Sequence, residues 1–275
     1  MNAHKSKIVV LVLCLIAAPF IYCFVKNKIH LKRVRTYVKQ ERFALAKHEL
    51  DTVDHLSPKS VEDCKMFLDI YLKSYDLGQV DYMAELCQFK GFKDKNIILH
   101  KSKSRELRGD FTGALAVIGA EINSGSGSGS GNPANDPDYF FAAALLLTRV
   151  NNIQGAASSY LNAFRLAGEN LETKFRVLTG LMEIKATEQA LAVAKALASQ
   201  PYSQPVPYLL LARMFDQLKD SVSAKASFEK GVPLMASLDE KMRAQVSQNF
   251  QDVFQTFSTE APKAKSPSKK EPAKQ

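Results

Sequence analysis

The sequence predicts an all-α chain: a membrane-spanning N-terminal helix, a solenoid of antiparallel helix pairs, a C-terminal capping helix and a disordered tail. Three observations predict it. Ile8 to Val25 runs 18 residues without a charge, close to the shortest stretch that crosses a hydrocarbon core of about 30 Å. Ala156, Ala190 and Ala224 recur every 34 residues, a period that belongs to stacked helical repeats. Beyond Ser258, TEAPKAKSPSKKEPAKQ has no aliphatic or aromatic cluster to bury, so it cannot offset the entropy of ordering.

The apolar run follows a short basic N-terminus, residues 1–7, with Lys5 and Lys7. A cleaved signal peptide begins in the same way. Here Pro19 follows Ala17 and Ala18 and disfavours cleavage, and Leu13 is too bulky before Cys14 for a lipoprotein site. Residues 8–25 are therefore expected to remain as an uncleaved anchor in a lipid bilayer. Lys26, Lys28, Lys32, Arg33, Arg35 and Lys39 outnumber the upstream bases, which favours a cytoplasmic body because Lys and Arg resist translocation. The alternative reads the basic N-terminus as the start of a signal anchor and puts the body on the far side.

The net charge of +9 sits at the ends. Residues 1–40 carry +8 and residues 258–275 carry +3; subtracting these 11 charges leaves −2 for residues 41–257. The body thus has no basic excess to follow a phosphate backbone, and no nucleic-acid partner is expected. The four cysteines form no C-x-x-C pair. Cys64 and Cys87 read as small buried thiols, with a bond between them only in an oxidising compartment.

The 34-residue recurrence extends beyond one column. Tyr160, Ala194 and Phe228 keep it, as do Ala163, Leu197 and Gly231. Upstream in each unit come Phe140, Lys174 and Tyr208, then Ala144, Leu178 and Ala212, then Leu147, Leu181 and Phe215. Apolar residues three and four apart define one helical face, and an alanine column lets two antiparallel helices cross closely. With these columns on the page, the chain resembles the tetratricopeptide repeat (TPR) family, best over Phe140–Phe164 and Tyr208–Gly231. The resemblance covers roughly residues 27–238: three clear repeats over 137–238 and three degenerate ones over 27–123.

Ala114 continues the column upstream, and steps of 34 lead to Val80 and Ala46. Around Val80 a three-residue slip reads better, with Gly78 as the turn residue and Met83 in the alanine column. The interval from Ala114 to Ala156 is 42, and its eight-residue surplus matches SGSGSGSG at Ser124–Gly131. This predicts a flexible loop over 124–136, and after the Gly/Ser tract Pro133 and Pro137 reset the chain before the next helix. After the last repeat, Ser237 and Glu240 suggest a capping box for a helix over 239–257. Met242, Val246, Phe250, Val253, Phe254 and Phe257 are expected on one face, closing the end of the stack.

Chemistry is hard to find. The sequence contains no phosphate loop, no G-x-G-x-x-G and no G-x-S-x-G, so no catalytic, cofactor or metal residue is predicted. His48 and His55 lie about 10.5 Å apart along a helix, too far to share an ion; Glu49, Asp51 and Asp54 read as surface charge. The resemblance instead implies a concave groove that binds a peptide or helical segment of a partner protein. Carried over repeat by repeat, it assigns Phe141, Leu145 and Arg149, then Phe175, Met182 and Glu183, then Leu209, Arg213 and Asp216 to that groove. Apolar members would hold the partner and the charges would fix its register. The expected function is a membrane-anchored scaffold or adaptor, with no enzyme activity and no small-molecule substrate. The alternatives are a helical-repeat accessory subunit of a cell-envelope export or polymer-synthesis machine on the far side of the membrane and, against the charge balance, an RNA-binding helical repeat.

Overall fold

The computed structural model describes residues 22, 24–53, 57–124 and 135–258. Nearly all of the expected membrane segment lies outside them, as do residues 125–134 of the Gly/Ser stretch and the tail from residue 259. Among the described residues no helix is long and apolar enough to cross a membrane. The elements are helical throughout. They comprise α1 (24–39), α2 (Phe43–Asp51), α3 (Val61–Lys73), α4 (Leu77–Phe89), α5 (Lys95–Leu107), α6 (Phe111–Ser124), α7 (Pro137–Arg149) and α8 (Ile153–Leu166). A second compact unit begins at Asn170. It contains α9 (Leu171–Glu183), α10 (Thr187–Ala198), α11 (Pro205–Gln217), α12 (Ser221–Leu234), a 3-10 turn (Met235–Ser237), α13 (Glu240–Asn249) and α14 (Gln251–Ser258).

These helices pair as hairpins, and one turn geometry joins every pair. Glu41, Tyr75, Gly109, Asn151, Lys185 and Lys219 all have positive φ, between 56° and 81°. They stand 34 residues apart, except for the 42 that include the Gly/Ser surplus. Each is followed by a residue whose N–H reaches back five positions: Arg42 to Tyr37 (2.9 Å), Asp76 to Tyr71 (2.9 Å), Asp110 to Arg105 (3.0 Å), Asn152 to Leu147 (2.8 Å), Ala186 to Leu181 (2.9 Å) and Asp220 to Phe215 (2.9 Å). This is the Schellman arrangement, in which a left-handed residue turns the chain and satisfies the last carbonyls of the helix. Asp76, Asp110, Asn152 and Asp220 then also cap the next helix, accepting from Gln79, Gly113, Gly155 and Ser223. A short Asx side chain there supplies the oxygen that orphan N–H groups at a helix start need.

The repeat frame therefore runs without a slip through the N-terminal half. Gly78 lies inside α4, and Tyr75 is the turn residue. Val80 takes the alanine column itself: Ala46, Val80, Ala114, Ala156, Ala190 and Ala224 are all fully buried. The expected shift failed because glycine looked like the natural owner of a left-handed position, whereas the hydrogen bonds of the turn hold a tyrosine there.

In the N-terminal unit, Cys64 on α3 and Cys87 on α4 form a disulfide across one hairpin, with Cα atoms 6.2 Å apart. It lies in a core of Val34, Leu50, Phe67, Leu68, Tyr71 and Met83. Polar ties surround this core. Arg35 meets Asp63 at 3.2 Å, Lys65 meets Asp94 at 2.8 Å, and His100 meets Asp69 at 2.9 Å. Glu49 and Asp51 belong to these ties and are not simply surface charge. Glu49 accepts from His30 at 2.6 Å, and Asp51 accepts from the Tyr71 hydroxyl at 3.3 Å. His48 is exposed, while Asp54 and His55 lie outside the described residues. Pro137 stands at the first position of α7, as the proline reading expects.

In the C-terminal unit, α11 and α12 cross so closely that a Cβ at Gly231 would stand 3.0 Å from the Tyr208 Cβ. The expected single capping helix is two helices, broken at Phe250. Its cap is Asp239, which accepts from Met242 N at 2.8 Å, while Ser237 instead donates to the Leu234 carbonyl. The break redirects the apolar face. Phe250 and Val253 are buried against Leu209, Ala212, Phe228 and Met235, whereas Met242 is half exposed.

Candidate functional site

The residues assigned to a groove by resemblance fall into distinct environments. On α7, Leu145 and Arg149 face solvent, and Phe141 packs edge-on against Tyr160 with ring centres 5.6 Å apart. On α9, Phe175 and Met182 are half-buried and Glu183 is exposed. On α11 the assignments divide. Leu209 has no exposed surface and forms part of the C-terminal core. Arg213 is occupied by the chain end: its Nε donates to Asp252 at 2.7 Å, it donates to the Asn249 carbonyl at 2.6 Å, and its guanidinium stacks 4.7 Å from the Phe250 ring. These contacts fasten α14, so Leu209 and Arg213 are not free to meet a partner. Asp216 remains exposed.

Within the C-terminal unit the structure does form an open cleft, of about 560 Å³, between the end of α9 and the end of α11. Met182, Met214 and Leu218 supply its apolar surface, and Glu183, Lys185 and Lys219 supply charges of both signs. Of the residues assigned by resemblance, Met182 and Glu183 line this cleft, while Met214 and the two lysines are not among those assigned. A signal for the lysines exists: they are 34 apart and occupy the left-handed turn position, so the repeat itself places both beside the helix ends.

Methionine suits such a surface. Its unbranched, polarisable side chain adapts to partners of different shape. The local electrostatics tie two carboxylates into the helical frame. The Ser223 backbone N–H and hydroxyl hold the Asp220 carboxyl below the usual range, aided by Lys195. Arg213 does the same for Asp252. Among the described residues no group of three or more His, Cys, Asp or Glu is placed to hold a metal ion. What the cleft offers is two thioethers and a leucine for an apolar side chain, with opposite charges at its rim.

No protein-family model matches the chain, and no curated protein sequence does. Solved structures resemble it in outline. The PilF protein of Pseudomonas aeruginosa is 11% identical, with 82% of this chain and 98% of that one covered and a TM-score of 0.47. A tetratricopeptide repeat protein from Parabacteroides merdae is 10% identical, with 82% and 99% covered and a TM-score of 0.43. A signal-transduction ATPase with a tetratricopeptide repeat sensor from Pyrococcus horikoshii is 12% identical, with 94% of this chain but 41% of that one covered and a TM-score of 0.48.

Proposed function

We propose that this chain is a membrane-tethered adaptor that holds a short apolar segment of a partner protein on its helical hairpins. The observation that carries the reading is the α9–α11 cleft, where Met182 and Met214 are flanked by Glu183, Lys185 and Lys219 on a frame fixed by recurrent turns. A rigid scaffold presenting adaptable apolar side chains inside a charged rim is how a groove admits an amphipathic helix. The tether is the uncharged stretch from Ile8 to Val25. Holding the body at a membrane raises its concentration near other membrane proteins without any added contact.

The experiment is selection of amphipathic peptides from a displayed library by the full chain, followed by titration of the enriched peptides. Met182→Asp with Met214→Asp should weaken them at least about tenfold, since an apolar anchor contributes about 1–3 kcal/mol. Unchanged affinity in that double variant would refute the cleft as the binding surface.

A second placement has an observation of its own. The Cys64–Cys87 disulfide is wholly buried, and such bonds persist in oxidising compartments and are rare in the cytosol. It supports a body on the far side of the membrane, as an accessory subunit of an envelope machine, over the cytoplasmic body that the count of basic residues favours. Cells quenched in acid, denatured and treated with a polymer-linked maleimide read this directly. The far-side placement expects labelling of Cys14 and Cys23 alone, with Cys64 and Cys87 added only after reduction. Labelling of all four without reductant would place the body in a reducing compartment.

A further inference from the structure

A second cleft, of about 670 Å³, lies in the N-terminal unit between α1 and the start of α3. One face of α1 lines it with Phe24, Lys28, Leu31, Lys32, Arg35 and Lys39, whose spacings are those of a single helical stripe. Val53 and Phe67 add apolar surface opposite, and Lys59 adds another charge. The rim thus carries five bases and one acid, and that acid, Asp63, is held by Arg35 at 3.2 Å. Lys28, Lys32 and Lys39 are exposed. Lys59 Nζ stands 5.7 Å from the centre of the Phe24 ring, so the charged rim and the apolar floor adjoin.

Position narrows the ligand. In sequence the uncharged run Ile8–Val25 leads directly into α1, and Tyr22, Phe24, Val25 and Ile29 are about half to seven-tenths exposed. Aromatic and apolar side chains left open beside such a run suit the boundary of a bilayer, and clustered bases immediately beyond it attract anionic lipid. A free anion would satisfy the bases and leave the floor unused; an amphiphile satisfies both.

We propose that this cleft binds the headgroup and upper acyl chain of an anionic phospholipid, drawn from the bilayer that residues 8–25 enter. The proposal rests on the membrane-anchor reading, and the two are separable by experiment. The full chain in zwitterionic detergent is titrated with dihexanoyl phosphatidylglycerol, dihexanoyl phosphatidylcholine, inorganic phosphate and a hexaglutamate peptide. The same titrations are run on Lys28→Glu/Lys32→Glu/Lys39→Glu, whose exposed side chains lie outside the core, with circular dichroism to check that it folds. Phosphatidylglycerol should bind the wild type and lose at least about tenfold in the variant, with phosphatidylcholine weaker by a similar factor. Equal binding of both lipids, an unchanged variant, inorganic phosphate matching phosphatidylglycerol, or the peptide outcompeting it would each overturn the proposal. Alkaline extraction of membranes tests the anchor alone: release of the chain refutes the anchor, while the titration still decides the cleft.

Discussion

The first two hairpins and the last two reach the same backbone by different means. In α9–α12, small side chains set the crossings: Ala190, Ala194, Ala212 and Ala224 are wholly buried, and Gly231 admits the Tyr208 side chain. In α1–α4 the alanine column contains Val80, and a disulfide with cross-helix pairs such as Arg35–Asp63 and Lys47–Asp76 locates the helices. The difference teaches that the hairpin does not depend on one packing solution. Where side chains are too large or too varied to nest by shape alone, specific ties fix the register.

The comparison can be broken most directly at the disulfide. A bridge closing a loop with a sequence separation of 23 contributes about 3 kcal/mol through the unfolded chain. Cys64→Ala with Cys87→Ala should lose that much in urea unfolding, and reductant should cost the wild type a similar amount. A double variant as stable as the oxidised wild type would show that the ion pairs suffice. Next in size is Ala190→Leu in the last hairpins, expected to cost about 1–3 kcal/mol because Ala190 is wholly buried and added methylenes must displace packed neighbours. Full tolerance of leucine there would remove the contrast between the two regions. The smallest effect concerns acid. Asp252 is held below its ordinary value by Arg213, so its contribution is present above the unfolded value of about 3.9 and is lost as pH falls through the lower folded one. The protection factors of the α14 amides, exchange rates divided by their intrinsic values at each pH, should therefore be flat from neutral pH to about pH 5 and fall below about pH 4, and Asp252→Asn should abolish this acid step. Protection lost equally in the variant would detach the effect from this pair.

Much of the fold is legible because its causes are local or periodic. Alanine every 34 residues, aromatic and apolar companions at helical spacing, and a proline at Pro137 suffice to place the later hairpins. What escapes depends on residues far apart in the chain. Nothing near Arg213 announces Asp252, 39 positions on, and so a structural clamp reads as a groove charge. The Cys64–Cys87 bond is invisible without the hairpin that brings the two together. Tyr75 escapes for another reason: a left-handed turn favours glycine, and Gly78 lies three residues away to attract the assignment. Of the expected groove, Met182 and Glu183 line a cleft, because turn and repeat fix where a helix ends. Leu209 does not, since the chain folds α14 back over it.

The recurrent left-handed turn bears on how such a chain changes length. Any two of these turns present the same backbone junction, so excising or copying the segment between equivalent points, such as Asn152 to Lys185, joins ends of matching conformation. Growth and shrinkage in whole modules then demand no fresh loop design. In sequence the eight-residue surplus falls between α6 and α7, away from the six recurrent turn positions, which is where an insertion leaves the module boundary intact.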